Sequence, residues 1–329
     1  PDFSAPPSDG ADFSEIKGQE RARRAMEIAA AGGHNILMVG PPGTGKSMLA
    51  KRLPTIMPRM SFEESVEVTK IHSASGTLDS ESGLVTVRPF RSPHHTMSAP
   101  ALVGGGAIPM PGEISLASGG VLFLDELPEF NKAVTESMRQ PLEDGQVTIT
   151  RAAGRVTYPS RFMLVCAMNP CRGGYYGSGI RECTCRREDI KKYLSKISGP
   201  LLDRIDIQVE LPALSFDELT REEKSESSAQ IRARVEDARS LAVRRMGSAS
   251  ACNAAMTRSE IREFCAVGDA SLRLLKTAFE KMNLSARGYD RVLRVARTVA
   301  DLAHSESIEP QHVAEAIQLR SLDKKYFGI

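Results

Sequence analysis

The stretch Gly40-Pro41-Pro42-Gly43-Thr44-Gly45-Lys46-Ser47 constrains this chain more than any other, because few folds can present it. It fits G-x-x-x-x-G-K-[ST], the P-loop pattern, and its flanks agree. Ile36–Val39 before it is an apolar run of strand length, and Met48–Leu53 after it reads as the opening turns of a helix. The glycines let the backbone wrap phosphate oxygens, while the loop N–H groups and the helix N-terminus attract anions. Lys46 is placed to reach the β- and γ-phosphates, and Ser47 to ligate Mg²⁺. The pattern therefore predicts a site for a magnesium-bound nucleoside triphosphate.

With 329 residues, 41% hydrophobic and 26% charged, the chain has the make-up of a globular protein of more than one domain. It contains no run of about 18 apolar residues and opens on no signal peptide, so a cytoplasmic protein without membrane spans is expected. Pro1 to Ala11, rich in Pro, Ser and Asp, reads as a linker to a preceding domain. Six cysteines are too few at this length for a disulfide scaffold. The net charge of +2 conceals a local excess, since Arg151–Lys192 carries nine basic and three acidic residues.

Periodicity predicts a helix over Gly18–Ala31, closed by Gly32-Gly33, and a P-loop helix stopping near Pro54 and Pro58. Glu64–Ile71 reads as a second strand. A long Gly-, Pro- and Ser-rich connection over Ser73–Gly120 includes a strand-like piece at Leu84–Val87. Val121–Leu124, Phe162–Ala167 and Ile205–Leu211 read as buried strands, and Asn131–Leu142 as a helix. Gln146–Thr150 and Arg155–Tyr158 alternate as a hairpin with Arg151 and Arg155 at its tip. Beyond Pro212 the pattern is helical: Glu222–Met246, a capping box at Thr257-x-x-Glu260, then Ser271–Met282, Ala286–Ala303 and Gln311–Leu319. These assignments divide the chain into a linker (1–11), an α/β core (12–212), a linking helix (213–256) and a helical lid (257–329).

Hydrolysis at a P-loop needs a carboxylate near Mg²⁺ and a group that orients the attacking water. Asp125 and Glu126, closing the Val121–Leu124 strand, supply both: Asp125 for the metal and its waters, Glu126 for the nucleophile. Asn169, after the next strand, is placed to hydrogen-bond the γ-phosphate or that water.

GPPGTGKS, VLFLDE, a strand ending in Asn169 and LLDRID resemble the AAA+ ATPases. The longer runs RSPHHTMSAPALVGGG, PGEISLASGGVLFLDELPEF, AMNPC and SGPLLDRIDI resemble the ComM/YifB branch of magnesium-chelatase-like proteins, over essentially all of Asp12–Leu322. The resemblance implies an α/β AAA+ module with a parallel sheet of order 5-1-4-3-2, helix-2 and pre-sensor-1 insertions, and a C-terminal helical lid. It further implies ATP with Mg²⁺ and a homo-oligomeric, hexameric ring with no membrane partner. Arg204 matches the arginine finger that enters a neighbouring subunit's site, and Arg287 the sensor-2 arginine of the lid, with Arg291 one helical turn on. The Arg151–Arg155 hairpin corresponds to the pre-sensor-1 insertion that grips the DNA backbone in related helicases. Ser73–Gly119 corresponds to the helix-2 insertion; the pair His94-His95 within it reads as structural.

One departure concerns cysteines. Many relatives carry a four-cysteine pattern after Asn169, whereas this chain has Cys171, Gly173 in place of the second cysteine, then Cys183 and Cys185. Three thiolates lack the fourth ligand of a structural zinc, so zinc is not expected. The function implied is that of an ATP-driven motor on single-stranded or branched DNA, like the branch-migration helicases of bacterial transformation. A chelatase-type ATPase that remodels a metal-inserting partner is the alternative, and a nucleotide-gated scaffold without turnover a third.

Overall fold

A computed structural model describes residues 10–78, 83–151, 154–220 and 225–327. The chain divides into two compact units. The first comprises Arg59–Met168 with Lys196–Arg204, and the second Asp12–Pro58, Asn169–Ser195 and everything from Ile205 onward. The strands that carry the fold are β1 (Ile36–Val39), β2 (Phe90–Arg91), β3 (Val121–Leu124), β4 (Met163–Met168) and β5 (Ile207–Glu210).

In the first unit β2 pairs with β3 and β3 with β4, both parallel. In the second, β1 pairs with β5, again parallel, in the register Ile36↔Ile207 to Val39↔Glu210. The expected order thus has its 4-3-2 run in one unit and its 5-1 run in the other. Every residue of β1, β3 and β4 is buried, which is why these strands read as unbroken apolar runs. A fully buried Phe123 or Leu37 contributes about 1.5–3 kcal/mol of transfer free energy.

Two expected strands are corrected. Glu64–Ile71 belongs to a helix, Phe62–Ala74, opened by a capping box in which Ser61 and Glu64 satisfy each other's backbone N–H groups. Its buried face is Ser65, Val68 and Ile71, three apart, so the Val66/Val68 alternation misled. Leu84–Val87 forms no strand, because helix side chains satisfy its backbone: Val85 N–H donates to Thr69 Oγ1 at 2.8 Å, and Ser65 Oγ donates to the Val85 carbonyl at 2.5 Å. The strand comes later, at β2.

The helix expected over Asn131–Leu142 starts as foreseen, with Asn131 capping it, but splits into Lys132–Ser137 and Arg139–Asp144. Pro141 has no N–H to return to Ser137. The hairpin forms as strands Gln146–Arg151 and Gly154–Pro159, in antiparallel register Thr150↔Arg155 and Arg151↔Gly154. The strands were expected to join over Arg151–Gly154; residues 152 and 153 of that turn lie outside the described residues.

The second unit holds the long helix Ser228–Met246, opened by a Ser227/Gln230 capping box; the expected start at Glu222 lies outside the described residues. It also holds the four C-terminal helices Arg258–Phe264, Asp269–Met282, Ala286–Leu302 and Pro310–Gln318. A buried polar seam fixes how Ala286–Leu302 meets its neighbours. His34, fully buried, bridges Asp206 at 3.1 Å and Thr298 Oγ1 at 2.7 Å. Asn253 Nδ2 donates to Thr298 and Asp301, and Arg297 Nε donates to Asp301 at 3.1 Å. Burial would push the Asp206 carboxyl up, but the His34 hydrogen bond, then the charges of His34, Arg291 and Arg294, hold it below the usual carboxylate value.

Candidate nucleotide site

The P-loop leaves β1 at Gly40, and no larger residue fits there: a Cβ would stand 2.5 Å from the Leu211 carbonyl. Gly43 and Gly45 hold left-handed φ angles of 80° and 88°, which an L side chain rarely adopts. A Cβ on either would meet nothing within 4 Å, so the cradle stands open on that side. Gly45 is the N-cap of the helix Lys46–Ile56, and Lys46 and Ser47 fall on its first turn, where N–H groups face outward.

Lys46 is buried, and its ammonium donates to the carbonyls of Gly40 at 2.7 Å and Pro41 at 2.8 Å, and to Asn169 Oδ1 at 3.1 Å. A cation ringed by oxygens at the mouth of a glycine cradle is a ready anion site. Asn169 therefore stands beside the P-loop lysine, as its expected role requires. The loop fits a phosphate chain, and Ser47 offers the hydroxyl through which Mg²⁺ would be held.

Gln19 was not singled out by sequence. It adopts a left-handed backbone (φ 52°), and its Nε2 donates to the carbonyls of Thr44 at 3.2 Å and Pro212 at 2.7 Å, tying the P-loop to the segment after β5. The only signal was the Gly18-Gln19 pair itself, read as the start of a helix that opens two residues after Gly18, at Glu20.

In the first unit, Asp125 and Glu126 close β3 as expected. Asp125 Oδ1 accepts the Glu126 N–H at 3.0 Å, and Glu126 takes a left-handed backbone (φ 52°) and is exposed. His95 Nδ1 stands 3.7 Å from Glu126 Oε2, a proximity the sequence did not reveal. Arg204 follows the turn Gly199–Leu202, and its Nη2 donates to Glu143 Oε2 at 2.5 Å.

In the C-terminal helical region, Arg287 is exposed on the first turn of Ala286–Leu302, whereas Arg291 is buried and within the field of Asp206. The hairpin presents Arg151 and Arg155 to solvent, and among the described residues neither guanidinium has a carboxylate partner. A second, smaller hairpin, Gly104–Gly105 with Met110–Pro111, lies against it: Tyr158 donates its hydroxyl to the Pro109 carbonyl at 2.9 Å. A Cβ on Gly105 would stand 2.9 Å from Arg151 Nη2. The tip of this hairpin leaves Ile108 74% exposed.

The thiols of Cys171, Cys183 and Cys185 converge in the second unit. Cys171 Sγ lies 3.6 Å from Cys183 Sγ and 3.8 Å from Cys185 Sγ, and it accepts the Gly174 N–H at 3.2 Å. Burial pushes the Cys171 thiol up, but backbone N–H groups of Tyr176 and Tyr175 more than offset it and hold the thiol below its usual value. Cys166 is buried inside β4, where burial raises its thiol far above the ordinary range.

A phosphate cradle opening a helix, on parallel strands in the order 5-1 and 4-3-2 with a helical C-terminal region, is the fold of the AAA+ P-loop proteins. The chain belongs to the magnesium chelatase subunit ChlI family: that family matches residues 12–219, and the ChlI C-terminal family matches residues 225–320. It is 45% identical over 313 residues to the competence protein ComM of Haemophilus influenzae, covering 94% of this chain and 60% of that protein. It is 44% identical to YifB of Salmonella typhimurium over 321 residues, covering 97% of this chain and 62% of the relative. Against YifB of Escherichia coli K12 the identity is 44% over 314 residues, 95% of this chain and 61% of the relative. The chain thus spans about three fifths of the length of these relatives. Among the described residues no helix is long and apolar enough to cross a membrane.

Proposed function

We propose that this chain is the ATP-hydrolysing module of a ring-forming motor that acts on single-stranded or branched DNA, in the manner of a branch-migration helicase. The observation that carries the reading is the pair of exposed arginines, Arg151 and Arg155, on a hairpin braced by a second inserted hairpin. A protein that only remodels another protein has no need of exposed cations on a β-hairpin that, among the described residues, lack carboxylate partners. Phosphate contacts from such cations give affinity without sequence preference. The similarity to a competence protein supports the same reading.

In this account ATP lies along Gly40–Ser47, with the Lys46 ammonium exchanging its carbonyl partners for β- and γ-phosphate oxygens. Ser47 and Asp125 are the residues that would hold Mg²⁺, which would supply charge neutralisation at the phosphates. Glu126 orients the attacking water and Asn169 hydrogen-bonds it or the γ-phosphate. Arg204, from the neighbouring subunit, meets the charge that develops as the γ-phosphoryl group leaves, and Arg287 of the lid contacts the nucleotide.

The test is ATPase activity and DNA binding with and without forked DNA, for the wild type and Arg151→Ala/Arg155→Ala. The double variant should keep basal hydrolysis while losing DNA stimulation. Its DNA affinity should also depend less steeply on salt, with a slope smaller by about one for each phosphate no longer neutralised. Equal DNA affinity in both proteins across a salt series would remove the hairpin from the DNA path. It would favour the alternative, a chelatase-type ATPase that remodels a metal-inserting partner, to which the family match gives independent weight.

A further inference from the structure

The basic excess between Arg151 and Lys192 is only partly accounted for by the hairpin. From Arg172 to Lys192 six basic residues stand against three acidic ones, and all nine are exposed. Glu188 and Asp189 lie in the first turn of the helix Arg187–Leu194, where acids complement the helix dipole. Among the described residues none of the six cations forms an ion pair with a carboxylate. The whole segment belongs to the second compact unit.

The loop that carries these charges also presents aromatic faces. Its base is closed where Cys171 meets Cys183 and Cys185, Sγ to Sγ at 3.6 and 3.8 Å, which brings Arg172 and Arg186 to the same end. Its tip is a turn in which the Tyr175 carbonyl accepts the Ser178 N–H at 3.1 Å and the Ser178 hydroxyl at 2.9 Å, with Gly177 at φ 67°. Arg181 folds back so that its guanidinium carbon lies 3.5 Å from the centre of the Tyr175 ring, a cation–π stack. Arg181 is itself exposed, so the guanidinium face turned from Tyr175 meets solvent. Tyr176, 38% exposed, is backed edge-on by Tyr326 at 6.4 Å and 67°. Tyr326 is buried and donates its hydroxyl to Glu210 Oε1 at 2.7 Å, so the backing is fixed. Two flat π surfaces are thus held within one basic loop.

We propose that residues 172–187 form a second contact for single-stranded DNA, in which Tyr176 and the Tyr175–Arg181 stack receive unpaired bases while Arg172 and Arg186 receive phosphates. A surface that met only an acidic protein would use the charge and leave the aromatic faces without a role. A single strand uses both, since every unpaired base has a π face and every link a phosphate. A duplex keeps those faces in its own stack, so this loop distinguishes strand from duplex, which contacts to phosphates alone do not. The inference rests on the reading of the chain as a protein that acts on DNA, and it adds the form of DNA that is held.

The test is fluorescence anisotropy, with an ATP analogue present, on three labelled probes of equal length: oligothymidylate, an abasic deoxyribose-phosphate strand and a duplex. Tyr176→Ala should weaken binding of oligothymidylate by about tenfold, the scale of one stacked base, and leave the abasic strand and the salt slope unchanged. Tyr176→Phe should bind as the wild type does. Arg172→Ala/Arg186→Ala should lower the salt slope for oligothymidylate by about 1.4, two single-strand phosphates, and keep the preference for bases over the abasic strand. If Tyr176→Ala does not fold, Tyr176→Leu still covers Tyr326, removes the ring, and carries the same expectation. Arg151→Ala/Arg155→Ala, measured alongside, should weaken binding of all three probes and keep the preference for oligothymidylate. Loop variants that bind every probe as tightly as the wild type, beside a weakened hairpin variant, overturn the second contact alone. Polyglutamate that competes as well as oligothymidylate of equal charge assigns the loop to an acidic protein and overturns it too. A wild type that binds none of the probes overturns the DNA reading and this inference together.

Discussion

Lys46 Nζ and Asn169 Oδ1 are 3.1 Å apart, so the P-loop cation and the residue that closes β4 already share a hydrogen bond. The ammonium also holds two carbonyls of its own loop, Gly40 and Pro41. A triphosphate competes for those three oxygen positions, and Asn169 is the partner best placed to follow the lysine onto the γ-phosphate. Lys46→Ala should therefore abolish ATP binding, measured by fluorescent-nucleotide titration. Asn169→Ala should leave ATP affinity within about threefold while lowering kcat by roughly 10²-fold, the scale of removing one polar group from a developing charge. Equal losses of affinity in the two variants would make Asn169 a ground-state ligand only.

Arg204 forms an ion pair with Glu143 at 2.5 Å, with the arginine largely shielded and the glutamate exposed. A finger that acts on a neighbouring subunit must give up such a bond. Mixtures of Arg204→Ala with Lys46→Ala subunits should recover part of the hydrolysis that each lacks, at interfaces pairing an intact P-loop with an intact arginine. Glu143→Gln should raise turnover of the assembled protein by about two- to fivefold. No recovery in mixtures shown to co-assemble would return Arg204 to a role within its own chain.

The P-loop, the acidic pair after β3 and the buried strands were legible because each is a local pattern: a glycine spacing, an apolar run, a turn. The capping box at Thr257 and Glu260 forms as the sequence indicated. The helix Phe62–Ala74 was misread because its apolar residues are sparse and two valines alternate; the Ser61/Glu64 box was the better signal. Relationships that depend on register were out of reach. Nothing in sequence says that β2 pairs with β3 at the offset that brings His95 to Glu126, or that Arg204 meets Glu143, 61 residues away.

The Asp206 carboxyl lies below its usual value in the folded chain, against the push of burial, through His34 and the nearby Arg291 and Arg294 charges. A carboxylate depressed on folding adds stability above its unfolded value, about 3.9, and that stability is lost as pH falls through the lower, folded value. Asp206→Asn should therefore unfold at lower urea concentration than the wild type at pH 7. The gap should narrow once the pH drops below about 4. A gap that stays constant down to pH 3 would show that the loss comes from geometry, not from the charge.

Gly173 occupies the fourth corner of the thiol cluster. Four sulfurs around a tetrahedral zinc at about 2.3 Å stand roughly 3.8 Å apart, and Cys171 already lies 3.6 and 3.8 Å from Cys183 and Cys185. A Cβ built on Gly173 falls 2.9 Å from Cys185 Sγ and 4.0 Å from Cys171 Sγ, so a cysteine there carries its sulfur into the cluster, with Cys185 giving way by a small rotation. With three thiolates the wild type lacks the closed shell of a structural site and should purify with well under one zinc per chain. Gly173→Cys should purify with about one, and removing that metal with a chelator should lower its melting temperature, because metal affinity held only by the folded state is folding free energy. The loop also touches the nucleotide cradle: a Cβ on Gly174 would stand 2.8 Å from Pro42 Cδ. Zinc in Gly173→Cys should therefore stiffen the P-loop side of the site as well, which hydrogen exchange of the 171–185 segment and the P-loop measures directly. Elemental analysis finding one zinc per chain in the wild type would mean that an unrecognised fourth ligand completes the site. A Gly173→Cys protein that remains free of zinc would mean that the three sulfurs do not converge as described.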